Sequence, residues 1–97
     1  MKHLIVKSDK DNVGNALEDI APGDNVLWRQ GGAEHELSAT DAVPFGFKMA
    51  LRPIAEGREI ICYGEPVGLA SVSIAAGACV HVHNVRGQRG NAQAQEG

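Results

Sequence analysis

An all-β domain of short strands and tight turns is what this sequence predicts, and three observations carry that expectation. The apolar residues come in brief bursts parted by Gly, Pro, Asp and Asn, with twelve glycines spread along the chain. No segment sustains the helical apolar period of about 3.6 residues. Val80-His81-Val82-His83 alternates strictly, as a strand with one buried face would. A third signal is an internal repeat, Ile-Ala-x-Gly-x-x-(Val/Ile), found at Ile20 to Val26, Ile54 to Ile60 and Ile74 to Val80.

Taken in order, Leu4-Ile5-Val6 is the first strand burst and Val13 to Leu17 the second. The stretch Val13 to Ile20 is the best helical candidate in the chain, but Pro22-Gly23 cuts it off at once. Val26-Leu27-Trp28, Met49-Ala50-Leu51, Ile60-Ile61-Cys62-Tyr63 and Val67 to Ile74 follow, and Cys79 to Val85 closes the series. The spacing places a structured domain over residues 1–85. Residues 86–97, from Arg86 to Gly97, have almost nothing to bury and read as a flexible tail.

The repeat has a physical reading. Its isoleucine anchors the end of one strand, Ala-x-Gly makes the turn, and the β-branched residue three positions after Gly opens the next strand. Pro22 suits position i+1 of a type II turn, and glycine supplies the positive φ needed at i+2. Gly23, Gly57 and Gly77 are therefore expected in turns, with Ile20, Ile54 and Ile74 buried. The intervals between copies are unequal, which argues against a solenoid.

Composition narrows the function classes. The chain has 97 residues, nine basic and twelve acidic, for a net charge of -3. That length supports one domain with one modest core. Charges of both signs are mixed, with no basic stripe, so no nucleic-acid partner is expected. No apolar run approaches a membrane span, and Met1 to Ser8 lacks the apolar stretch of a secretory signal, so the expected location is cytoplasmic. Cys62 and Cys79 are expected as buried thiols. No nucleophile motif, phosphate loop or dinucleotide fingerprint is present.

Several segments together resemble a known family. The Ile-Ala-x-Gly turns are similar to those of the SAF domain, which has a β-clip fold. Pro44 to Ile54, Tyr63-Gly64-Glu65-Pro66-Val67-Gly68 and His81-Val82-His83-Asn84-Val85 resemble segments of the altronate and galactarate dehydratase family. The resemblance runs from about Lys10 to Val85. It implies a small SAF-like β-clip domain, either fused to a larger enzyme or standing as a small subunit. The implied activity is that of a hydro-lyase: dehydration of a sugar acid or related hydroxy acid by metal-assisted β-elimination, with a larger catalytic subunit as partner. An alternative is the alpha subunit of a sulfolactate sulfo-lyase; another is a non-catalytic binding or assembly module. One departure bears on the choice. The family usually reads Gly-His-Lys where this chain has Gly46-Phe47-Lys48, and a phenyl ring neither moves a proton nor ligates a metal.

The candidate site residues follow. His81 and His83, two apart on the expected strand, would share one face and suit a divalent metal or a proton-transfer role. The resemblance implies a divalent ion, iron or manganese, completed by the partner subunit. Lys48 is a candidate for binding a substrate carboxylate, and Asn84 for a substrate hydroxyl. Tyr63-Gly64-Glu65-Pro66 reads as a turn rather than a site, with Glu65 a minor acid–base candidate. His3 and His35 read as surface residues. A chain of this size offers little volume for a complete pocket. The His81–Asn84 and Phe45–Lys48 segments are therefore expected to meet a larger subunit, with homo-oligomers possible when the chain is isolated.

Overall fold

The computed structural model describes residues 1–87 and is all-β, with no helix among them. Nine short strands run in order: β1 (Lys2–Ile5), β2 (Val13–Ala16), β3 (Asn25–Gln30), β4 (Ala33–Ser38), β5 (Lys48–Ala50), β6 (Glu59–Cys62), β7 (Glu65–Ala70), β8 (Cys79–Val80) and β9 (Val85–Arg86). Six form one sheet in the order β4-β3-β1-β2-β5-β8, and three form a second, β6-β7-β9. All pairs are antiparallel except β1 with β3.

The repeat organises the chain, and it has four copies rather than three. Each reads Ala-x-x-x-(Ile/Val)-(Ala/Pro)-x-Gly, beginning at Ala16, Ala39, Ala50 and Ala70. The copy that differs, Val43-Pro44-Phe45-Gly46, carries Val for Ile and Pro for Ala, so it lacks the Ile-Ala signature of the others. In every copy the residue after Gly donates its amide back to the carbonyl three residues earlier: Asp24 to Ala21, Phe47 to Pro44, Arg58 to Ala55 and Ala78 to Ala75, all at 2.9–3.1 Å. The glycines have φ of 84° to 88°, as the third residue of a type II turn requires. In each copy a strand begins two residues after the glycine.

The copies pair reciprocally. Gly23 N donates to Ala39 O while Gly46 N donates to Ala16 O; Gly57 N donates to Ala70 O while Gly77 N donates to Ala50 O. Ile20 bridges Val43, and Ile54 bridges Ile74. All four alanines and all four bridging residues are at most 4% exposed. A larger side chain at the alanine would push the turn off its partner carbonyl, which explains the alanine. Two cores result. One gathers Leu4, Val26, Trp28, Val43 and Met49, and the other Val13, Ile54, Ile60, Ile74 and Val80.

Two sequence-based boundaries shift. The expected strand through Val80-His81-Val82-His83 stops at Val80, and residues 81–84 form a turn. Asn84 is the cause: its Oδ1 accepts from His81 N at 2.9 Å, and its own N donates to His81 O at 3.0 Å. At the other end, pairing of Leu69 with Arg86 carries the sheet one residue past the expected domain limit. Residues 88–97, most of the expected tail, lie outside the described residues.

Candidate functional site

The segment that feeds β5 and the turn that follows β8 meet on one surface. β5 pairs with β8 in the register Lys48–Val80 and Met49–Cys79. This brings the second repeat's turn, Pro44 to Phe47, alongside residues 81–84. The Phe47 ring lies 4.2 Å from the His81 ring at 30° between planes. Phe47 is half-buried against the first core, so it makes a fixed platform that sets the orientation of the imidazole. The position where the resemblance expects a histidine is thus filled by a ring that supports one.

Below this contact runs an open groove of about 340 Å³, lined by Lys48, Ile60, Val67, Val80, His81 and Val82, among others. Lys48 is half-buried, and its ammonium has no carboxylate partner among the described residues. The groove therefore offers an unpaired cation and an imidazole on a mostly apolar wall. A larger groove of about 590 Å³ passes Asn12, Arg58 and Glu59. Its Asn12 is committed to structure, donating to Glu59 O and accepting from Ile61 N.

The sequence-predicted residues are thus divided. Lys48 and His81 come together. His83 is exposed on the same turn but does not line the groove. The expectation that His81 and His83 share one strand face is overturned, because the strand ends before either. Asn84 is buried, and its Nδ2 donates to Cys79 O while its Oδ1 holds His81 N; its amide fixes the turn that carries His81. No cluster of three or more His, Cys, Asp or Glu suited to a metal occurs among the described residues. His81 and His83 thus have no third His, Cys, Asp or Glu grouped with them among the described residues.

Other titratable groups are accounted for. Cys62 and Cys79 are free and buried. Burial pushes both thiols up from their ordinary range; Lys48 pulls Cys62 partly back, and Asp41 pushes Cys79 further. Both are held as unreactive thiols. Away from the groove, hydrogen bonds from the His3 side chain and backbone lower the Glu18 carboxyl. His35 stacks on Trp28 at 5.5 Å.

Three further residues, Asn15, Tyr63 and Asp11, lie outside the groove lining but join the strands around it. Asn15 of β2 stands directly across from Lys48 of β5. Its Nδ2 donates to the Tyr63 hydroxyl at 2.7 Å. Asp11 is wholly buried and holds the Tyr63–Gly64 turn through Gly64 N at 2.7 Å. The legible signal was the Tyr63-Gly64 pair itself, a two-residue hairpin loop with a bulky first residue.

Comparison with known proteins adds the family context. Residues 2–88 match the altronate/galactarate dehydratase SAF domain. The chain is 42% identical over 76 residues to the altronate dehydratase of Escherichia coli (strain K12), covering 78% of this chain and 14% of that protein. It is 38% identical over 86 residues to the altronate dehydratase of Bacillus subtilis (strain 168), covering 89% of this chain and 16% of that one. It is also 41% identical over 54 residues to the (2R)-sulfolactate sulfo-lyase subunit alpha of Chromohalobacter salexigens, covering 56% of this chain and 57% of that subunit. The chain thus spans about a seventh of the two dehydratases it matches.

Proposed function

The chain belongs to the altronate/galactarate dehydratase SAF-domain family, and from that premise we propose that it is the small component of a lyase acting on a sugar acid or related hydroxy acid. A larger catalytic part completes its site. The observation that carries the reading is the convergence of Lys48 and His81 on one groove, with Phe47 holding the imidazole in place. The sulfo-lyase alpha subunit is the second reading. It is favoured by a relative that is itself a short chain, of which this chain covers 57%.

The roles follow from the chemistry of the side chains. Dehydration by β-elimination removes a proton from the carbon next to a carboxylate and expels a hydroxyl from the next carbon. Lys48 supplies a point charge for the carboxylate. His81 suits moving a proton, the role an imidazole most often takes in general acid–base catalysis. Its ring cannot swing freely while it rests on Phe47. Asn84 acts by positioning His81. His83, on the same turn, faces outward to where a partner would sit. A divalent ion, if the reaction uses one, supplies Lewis acidity to the substrate oxygens, and the larger part would hold most of its ligands.

Co-purification of the native complex, followed by turnover assays with altronate, galactarate and sulfolactate, tests the reading. His81→Ala is expected to lower kcat by about 100-fold or more, the usual contribution of a positioned acid or base, with assembly intact. Unchanged turnover in an intact complex overturns a chemical role for His81.

A further inference from the structure

The turn at Tyr63 is built in a conformation that a bulky side chain disfavours. Tyr63 and Gly64 have φ of 56° and 79°, and they join Cys62 to its β7 partner Glu65. A two-residue loop with both central φ values positive is a type I′ turn, whose first position favours Asn, Asp or Gly. Tyr63 is the one non-glycine residue with positive φ among those described. Such outliers persist where the surroundings over-determine them, and here they do. The wholly buried Asp11 carboxylate accepts from Gly64 N on Oδ1 and from Lys7 N and Ser8 N on Oδ2.

The consequence is a composite polar face. The clamped turn lays the Tyr63 hydroxyl on Asn15 Nδ2 at 2.7 Å. Asn15 Nδ2 also reaches Cys62 Sγ at 3.7 Å, so its N–H group is engaged, while its Oδ1 has no hydrogen bond among the described residues. As an acceptor from Asn15, the hydroxyl keeps its own proton to donate. Residues directly opposite in an antiparallel pair share a face with Cβ atoms about 5 Å apart. That sets the Lys48 side chain off beside Asn15, and its charge acts on the Cys62 thiol that Asn15 also touches. A cation, an O–H donor and an amide acceptor then belong to one region of the surface, and Lys48 also lines the His81 groove.

The geometry points to Asn15 and Tyr63 as specificity-determining residues: with the carboxylate on Lys48, they read a hydroxyl group of a hydroxy-acid anion by donating to it and accepting from it. This rests on the hydroxy-acid lyase reading above and extends it to a subsite that discriminates hydroxylated from plain carboxylates. A site built to hydrogen-bond a hydroxyl rejects analogues that lack it, because its polar groups are left unpaired.

The test is an NMR titration of the full chain, following the Asn15 side-chain amide and the Tyr63 ring. Three matched probes serve. Galactarate has two carboxylates and hydroxyls between them, adipate has the same carbon chain without hydroxyls, and galactitol has hydroxyls without carboxylates. Galactarate is expected to shift both residues and to bind about threefold to tenfold more tightly than adipate, the value of one hydrogen bond; galactitol is expected to leave them unmoved. Lys48→Met should abolish the galactarate shifts. Tyr63→Phe should reduce the galactarate-to-adipate ratio towards one while spectral dispersion stays native, which a merely structural role would not do. Equal binding of galactarate and adipate, shifts confined to residues 81–83, or no shift at Asn15 and Tyr63 each overturn the inference. Turnover by the native complex is read separately, so the lyase reading stands or falls on its own assay.

Discussion

Asp11 shows what one buried carboxylate contributes when every oxygen is used. Three backbone amides donate to it, from Lys7, Ser8 and Gly64, and its own carbonyl accepts from Arg52 and Gln30. The residue joins the end of β1, the β6–β7 hairpin and the loop after β5. Removing the carboxylate strands part-buried N–H groups, at about 1–3 kcal/mol for each that stays unpaired. Asp11→Ala is expected to lower unfolding free energy by about 3 kcal/mol or more, read as a lower urea midpoint. A loss below about 1 kcal/mol would mean that water replaces the carboxylate and that the turn at Tyr63 is held by other means.

At the scale of the element, the four turns share one geometry but not one tolerance. At Gly57 a Cβ would meet nothing within 4 Å, so Gly57→Ala bears only the positive-φ penalty, about 1–2 kcal/mol. At Gly77 the same atom would lie 2.6 Å from Ser38 O and 3.2 Å from Thr40 N. Thr40 N also donates to Gly77 O, and Cys79 N to Asp41 Oδ2. The first pair of repeats thus docks on the second at Gly77. Gly77→Ala should cost at least about 2 kcal/mol more than Gly57→Ala in chemical denaturation, since backbone must move; equal costs would show the 38–41 loop to be free to yield. The same elements show what the sequence disclosed. Ile20, Ile54 and Ile74 could be read as anchors because apolar identity and turn glycines sit together in the chain. Val43 does not stand out in the sequence, because Val43-Pro44 replaces Ile-Ala while preserving the physics of the turn. β4, Ala33–Ser38, has a mostly exposed, charged sequence and no apolar burst; it is a strand because β3 offers it six paired residues. His81 and His83 look like strand residues by alternation, and nothing local in the sequence shows that Lys48 and His81 line one groove. The local error arose because the Asn84 side chain captures His81 N, a competition between side chain and strand that alternation does not register. Asn15 and Tyr63 lie 48 residues apart, and no local pattern announces such a meeting.

At the scale of the whole molecule, the proposed larger catalytic part would have to dock somewhere on this surface. Phe45 is 67% exposed and Val82 is 80% exposed. They stand on the two turns that meet through Phe47 and His81, and Val82 lines the groove that holds Lys48. Leu17, 49% exposed, belongs to a different groove beside Trp28 and Arg29. Burying an aromatic and a valine side chain on a partner contributes about 25 cal/mol per Å² removed from water, and it would close the groove over any bound anion, strengthening the Lys48 charge by excluding water. Replacing Phe45 and Val82 by Glu should leave the stability of the isolated chain within about 0.5 kcal/mol, as for other exposed positions. The same change should weaken assembly with the larger part by at least about tenfold, or about 1.4 kcal/mol, measured by co-purification and titration calorimetry. Leu17→Glu should leave assembly unchanged. If Leu17→Glu breaks the complex while the double replacement does not, the larger part docks on the β1–β3 face instead. The Lys48 groove would then stay open to solvent, and a closed active site there would be ruled out.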